Sequence, residues 1–193
     1  MHLGFGETVL TILRGELPAR VNWDGITSAT PLDAIRTGLR MGLTMEEIRT
    51  SRSLGALGGP GHQWTNLAVL AGGVWLLATR IINWHIPAAL LAGLIVPAAL
   101  MSAIEPGTYT GPLFHVTAGA SMLGAFFIAT DPISAATSNL GRLVYGAGIG
   151  VFTYVIRTWG GYPDGIAFAV LLMNLAVPWI DRHTVPRVYG HAK

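Results

Sequence analysis

From His62 to Arg182 the chain is a series of five apolar stretches parted by short polar breaks, and nothing else in the sequence limits the fold so severely. The stretches run near Trp64–Ile82, Ile86–Ile104, Leu113–Thr130, Leu143–Thr158 and Ile166–Ile180. A helix that crosses a bilayer needs about 20 predominantly apolar residues. The first two stretches meet that length, and the later three are marginal by length alone. The competing reading is a set of buried helices in a large soluble core. Five helices in series with almost no charged faces argue against it, because a soluble domain must cover its surface with charge. Over the whole chain 11% of residues are charged, where soluble domains carry roughly 25%. The expected fold is therefore all-α: a polytopic integral membrane helical bundle of about five transmembrane helices.

Other features agree with a lipid environment. Trp64, Trp84, Tyr109, Trp159, Tyr162 and Trp179 fall near segment ends, where amphipathic rings favour the interface. Small residues crowd the segment interiors, as in Gly146-Ala147-Gly148-Ile149-Gly150, and let helix backbones approach closely. No strand precedes that run, so a phosphate-cradling role is disfavoured. The opening residues, MHLGFGETVL, lack a basic start and a long apolar run, so insertion is expected to use internal segments. A net charge of +2 without a basic block gives no reason to expect a nucleic-acid partner. The absence of cysteine excludes disulfides and thiolate-bound metals within these residues. The six histidines are scattered, and no metal site is expected.

Charge divides the chain. Residues 1–61 carry six acidic and six basic side chains, and the remainder carries four and six. The breaker cluster Gly58-Gly59-Pro60-Gly61 marks the boundary. Three parts are expected: an extramembrane segment over 1–61, the bundle over 62–182 and a tail over 183–193. In the first part Leu32, Ile35, Leu39 and Leu43 recur at helical spacing, and a further turn or two is expected within Met45–Leu54. With five passes, the C-terminal side collects Arg80, Arg142, Arg182, Arg187 and Lys193, while the opposite side has Glu105 and Arg157 in its short loops. The positive-inside rule then places the C-terminus in the cytoplasm and residues 1–61 outside, in the periplasm of a two-membrane bacterium.

The most informative stretch is Asp24-Gly25-Ile26-Thr27-Ser28-Ala29-Thr30-Pro31-Leu32-Asp33. Read locally it starts a helix, with Thr30 as N-cap, Pro31 at the first helical position and Asp33 where a capping-box acid sits. On local grounds capping is the favoured role. The same geometry suits a phosphate, because a helix N-terminus presents free N–H groups and a positive dipole end. A threonine hydroxyl is a weak nucleophile without a base, and Asp24 and Asp33 read as ordinary surface acids. Esterification would need a separate enzyme.

The segment Ser28-Ala29-Thr30-Pro31-Leu32 resembles the flavinylation motif of the NqrB/RnfD family. These are membrane subunits of sodium-pumping NADH:quinone reductases and of Rnf ion-translocating ferredoxin:NAD oxidoreductases. Met122-Leu123-Gly124-Ala125-Phe126-Phe127-Ile128-Ala129-Thr130-Asp131-Pro132 is similar to a second family signature, and Tyr154-Val155-Ile156-Arg157-Thr158-Trp159-Gly160-Gly161-Tyr162-Pro163-Asp164-Gly165 to a third. Together they resemble the C-terminal half of the Rnf branch, in members that are markedly longer and built of two related halves. The resemblance implies FMN joined through its phosphate to Thr30, with Ser28, Ala29 and Pro31 flanking it. It implies attachment by a flavin transferase that uses FAD, assembly with other Rnf complex subunits in the bacterial inner membrane, and a part in coupling electron transfer to Na⁺ or H⁺ movement. It leaves open a second, non-covalent flavin. The chain departs from the family pattern at Gln63, where members often carry an acid, and at Thr27 and Ser28, where they usually carry glycine. No residue is expected to be catalytic in itself. The alternative function is one half of a membrane transporter or channel without flavin.

Several polar groups lie in or beside the apolar stretches. Asn66, Asn174 and His115 need partners in lipid, with interhelical hydrogen bonds favoured over contact with a flavin, a quinone or an ion. Arg157 and Asp164 either pair or anchor at headgroups. Asp131-Pro132 reads equally as a helix stop or as a functional acid. Ser134-Ala135-Ala136-Thr137 partly echoes the Thr30 motif but lacks the Pro-Leu that follows it.

Overall fold

The computed structural model describes residues 5–14, 30–50, 62–184 and 186, and among these there is no strand. The N-terminal part supplies α1 (Phe5–Arg14), α2 (Pro31–Arg40) and α3 (Met45–Thr50). The bundle consists of α4 (His62–Ala78), α5 (His85–Ile104), a broken third element, α8 (Asn139–Trp159) and α9 (Ile166–Thr184). The third element begins as α6 (Pro112–Thr117), stops, resumes as α7 (Ser121–Leu123) and ends in a single π-turn over Gly124–Ile128. In that turn the Ala129 N–H donates to the Gly124 carbonyl at 2.8 Å, the five-residue spacing of a π-bulge.

The elements of the bundle alternate between two ends. One end gathers Thr108–Thr110, Thr158–Gly160 and helix α2. The other gathers Ile81–Asn83, Thr130–Thr137 and Arg142, together with Asp181, whose Oδ1 accepts from the Thr137 N–H at 3.0 Å. Helices α5 and α9 are long and apolar enough to cross a membrane. Only 39% and 28% of their most apolar stretches are buried, so they are not the enclosed core helices of a soluble globule. Their outer faces expose Val96, Leu100, Leu171, Leu172, Leu175 and Trp179. Such a belt exceeds what a soluble monomer leaves in water and needs lipid or protein to cover it.

Two expected segments end differently in space. The stretch expected to run from Trp64 to Ile82 is helical only as far as Ala78. Arg80 adopts a left-handed φ of 58°, its N–H donates to the Leu77 carbonyl, and the Ile81 N–H donates to that of Leu76, each at 3.0 Å. This is a Schellman stop made without glycine, and it leaves Ile81 and Ile82 in the following loop. The stretch Leu113–Thr130, expected as one span, is two half-helices, because the backbone turns at Ala118 to Ala120 with Gly119 at φ +65°.

The tightest packing joins α5 to α8. A Cβ at Gly150 would collide with the Leu90 carbonyl oxygen and lie 2.7 Å from the Leu94 nitrogen, and one at Gly146 would lie 2.7 Å from the Ile86 carbonyl oxygen. A Cβ at Gly93 would strike the Ala147 carbonyl from the other side. The glycine run thus brings backbone against backbone, as small-xxx-small patterns do in lipid. Tyr145 is fully buried beside this seam and donates to Asn174 Oδ1 at 2.6 Å, tying α8 to α9. Gly150→Val should therefore cost about 1–3 kcal/mol through overpacking. Gly161→Ala, at a position with open space around it, should be nearly neutral. Thermal unfolding of the two variants in detergent tests the contrast.

Candidate functional site

The break in the third element is stitched by side chains from the end of α8 and from the turn that follows it. Breaking a helix orphans carbonyls on one side and N–H groups on the other, and in a bilayer each must find a partner within the protein. Arg157, whose side chain is 1% exposed, donates from Nη1 to the His115 carbonyl at 2.7 Å and from Nη2 to the Ala118 carbonyl at 3.4 Å. Ser121 Oγ also donates to the His115 carbonyl at 2.7 Å. Across the break, Asp164 Oδ2 accepts from the Ala120 N–H at 2.7 Å, and Oδ1 accepts from the Ile166 N–H at the start of α9 at 3.2 Å. Arg157 and Asp164 pair at 2.9 Å. On the α4 side, Asn66 Nδ2 donates to the Thr117 carbonyl at 2.6 Å. One guanidinium and one carboxylate thus stand in for the missing helical turn.

Burial alone would push the Asp164 carboxyl up, but the Arg157 charge and hydrogen bonds from Ala120, Arg157 and Ile166 outweigh it and hold the group below its ordinary value of 3.8.

Helix α2 sits over this stitch. Thr30 caps it: the Thr30 side chain accepts from the Asp33 N–H at 3.3 Å, and Pro31 occupies the first turn. Thr30 itself is exposed. Leu32 faces the break, since a Cβ on Gly119 would lie 2.7 Å from Leu32 Cδ1 and 2.9 Å from Arg157 Nη2, and would collide with Asp164 Oδ2. Only glycine fits there, by space and by φ. Arg36 Nη2 donates to the Gly160 carbonyl beyond the end of α8. Ile35 packs with Met45 and Ile48 in a small core of its own. At Thr44 a full capping box starts α3: the Thr44 N–H and hydroxyl donate to Glu47 Oε2 at 2.8 and 2.9 Å, which keeps the Glu47 carboxyl below its ordinary value.

Between α2, the α5–α6 loop and the end of α8 lies a cavity of about 440 Å³. Tyr109, Phe114 and Trp159 give it aromatic walls, and Arg36, Arg40 and Arg157 line it with cationic side chains. His115 also lines it; its Nε2 lies 2.7 Å from Thr110 Oγ1, while its Nδ1 is buried without a hydrogen-bond partner among the described residues.

The sequence profile of the NQR2, RnfD, RnfE family matches residues 5–190. The chain belongs to that family. It is 50% identical over 199 residues to the D subunit of the ion-translocating oxidoreductase complex of Aliivibrio salmonicida, covering 100% of this chain and 57% of that protein. To the corresponding protein of Vibrio cholerae it is 56% identical, covering 89% and 49%, and to that of Alcanivorax borkumensis 53% identical, covering 93% and 52%. The chain thus spans about half the length of the curated relatives it matches. It is a membrane-protein chain of the Rnf type within this family.

Thr30 and Pro31 are in place at the start of α2. Ser28 and Ala29, and the boundary at 58–61, lie outside the described residues, as does most of the expected tail. Arg157 and Asp164 form the pair expected as one of two options. Asn66 and Asn174 make interhelical hydrogen bonds. Asp131 Oδ2 accepts from the Ser134 N–H and hydroxyl at 3.1 and 2.8 Å, forming the turn that ends the third element. Ser134 and Thr137 belong to that turn at the end of the bundle opposite Thr30, where Thr137 meets Asp181. Gly119 and Ser121 escaped sequence reading. The run Ala118-Gly119-Ala120-Ser121 inside an apolar stretch was the available signal.

Asp164→Asn should cost about 3–5 kcal/mol, because it leaves the Arg157 charge buried and uncompensated. The wild-type carboxyl titrates lower when folded than when unfolded, so the folded state binds fewer protons. Its contribution is present above the unfolded value and is lost as pH falls below 3.8 through the folded one. Unfolding midpoints in detergent should therefore fall with acid in wild type, and the part due to Asp164 should be missing from Asp164→Asn.

Proposed function

We propose that this chain is a membrane portion of an Rnf-type electron-transfer subunit, relaying electrons through FMN linked by its phosphate to Thr30. The observation that carries this reading is the state of Thr30. It is an exposed threonine, in a Ser-Ala-Thr-Pro-Leu segment, at the N-cap of a ten-residue helix.

The surrounding residues fit such a group. The hydroxyl is open to a transferase. The first-turn N–H groups of Leu32 and Asp33 face the N-cap region, where a helix favours an anion. The Asp33 carboxylate opposes a phosphate, and Arg36, on the same face one turn on, supplies a balancing charge. Bound flavin would supply the electron-transfer chemistry, while the chain binds and orients it and tunes its surroundings. Among the described residues no base lies among the hydrogen-bond partners of Thr30 Oγ1, in keeping with attachment by a separate, FAD-using flavin transferase.

The wider reading places five passes across the bacterial inner membrane. The end bearing Arg80, Arg142 and Arg182 is cytoplasmic and the end bearing Thr30 is periplasmic, as the positive-inside rule orders them. The partners are lipid and the other subunits of an Rnf complex of the ferredoxin:NAD oxidoreductase type. There the chain helps couple electron flow to Na⁺ or H⁺ movement.

A second reading, a transporter half without flavin, draws on the broken third element, since discontinuous helices recur in secondary transporters. Intact mass separates the two. Protein from cells containing the flavin transferase should carry the added mass of FMN, and Thr30→Ala should have the bare polypeptide mass. Bare mass in both would leave the transporter reading standing and remove the flavin.

A further inference from the structure

We infer that the cavity between α2 and the end of α8 is the seat of the flavin's ring system, with Trp159 and Tyr109 as its stacking walls and His115 as a polar contact for the ring edge. This inference rests on the Thr30 linkage proposed above and goes beyond it by assigning positioning residues.

Reach comes first. The cavity is lined by Leu32 and Ile35 of the same helix that Thr30 caps. A rise of about 1.5 Å per residue puts Leu32 within one turn of the anchoring hydroxyl, so a ribityl tether spans the gap.

Size and chemistry come next. About 440 Å³ falls within the range of sites that enclose cofactor-sized molecules. Tyr109 and Trp159 meet edge to face with ring centroids 6.3 Å apart. Trp159 remains 55% exposed, a large area of indole at the cavity with no ring of the described residues stacked flat against it. A planar ring laid there gains the offset stacking that aromatic groups prefer. The lining holds Arg36 and Arg40, beside an Arg157 already paired with Asp164, and no acidic residue, which favours an electron-accepting ring with carbonyl acceptors over a cationic ligand.

The independent pointer is His115. It is 5% exposed, it lines the cavity, and its Nδ1 has no partner among the described residues. A buried, unsatisfied polar atom is costly, and the nitrogens and carbonyls along one edge of an isoalloxazine would satisfy it. Trp159 sits in the motif Arg157-Thr158-Trp159-Gly160 directly after the arginine that stitches the broken helix, so the seat and the stitch are built by one turn of α8.

The test uses the full-length protein in its detergent-solubilised complex, from cells containing the flavin transferase. Tyrosine and tryptophan quench flavin fluorescence by close contact. Wild type should be weakly fluorescent when folded. Trp159→Leu and Tyr109→Leu should each gain fluorescence several-fold and become open to iodide quenching, while Trp159→Tyr should stay dim. All should show equal flavin fluorescence on a denaturing gel, since Thr30 is untouched. Equal labelling with unchanged folded-state fluorescence in both leucine variants would overturn the seat and leave the Thr30 linkage intact. Absence of attached flavin from wild type would overturn the linkage and the seat together.

Discussion

The structure depends on one demand of the bilayer: no backbone polar group inside it goes unpaired. A continuous helix meets that demand by itself, and the third element of the bundle is not continuous. The pair Arg157–Asp164 makes the discontinuity tolerable. The guanidinium reaches two carbonyls that lack helical partners, and the carboxylate collects N–H groups from the resumed helix and from the start of α9. Taking two charges out of water is expensive, and the pair compensates only because nearly every lone pair and proton is used. Around this point the other features fall into order. Gly119 must lack a side chain, Ser121 must reach back, and the turn after α8 must be short enough to bring Asp164 back to Arg157.

The same turn binds the N-terminal part to the bundle. Leu32 rests against Gly119, and Arg36 reaches the Gly160 carbonyl. Helix α2 is therefore seated on the most polar spot of the bundle's interior. That arrangement puts Thr30, at the head of α2, close to the aromatic cavity without burying its hydroxyl. An anchor open to a modifying enzyme and a lined recess beneath it suit a tethered group that is attached from outside and then folds inward.

The sequence disclosed the parts of this design that rest on periodicity and composition. The apolar stretches, the Thr30 cap and the small residues of α8 were legible because each follows from local chemistry. The break at Gly119 was not, since hydropathy counts apolar residues and is blind to the backbone turning among them. The stop after Ala78 was hidden for a similar reason: Arg80 takes the left-handed position that usually announces itself with glycine. The pairing of Arg157 with Asp164 was one of two options, because a sequence shows that two charges are near in the chain but not that a third element brings its broken ends to both of them. The cavity was illegible altogether, being assembled from α2, the α5–α6 loop and α8, which are far apart along the chain.

The glycine seam between α5 and α8 has a mechanical meaning. Where main chain lies on main chain there are no rotamers to exchange and no room to slide a ridge over a groove. These two helices therefore move as a single keel. Any change of shape in the bundle has to be taken up by α4, by the two half-helices and by α9, which touch the keel through side chains able to repack.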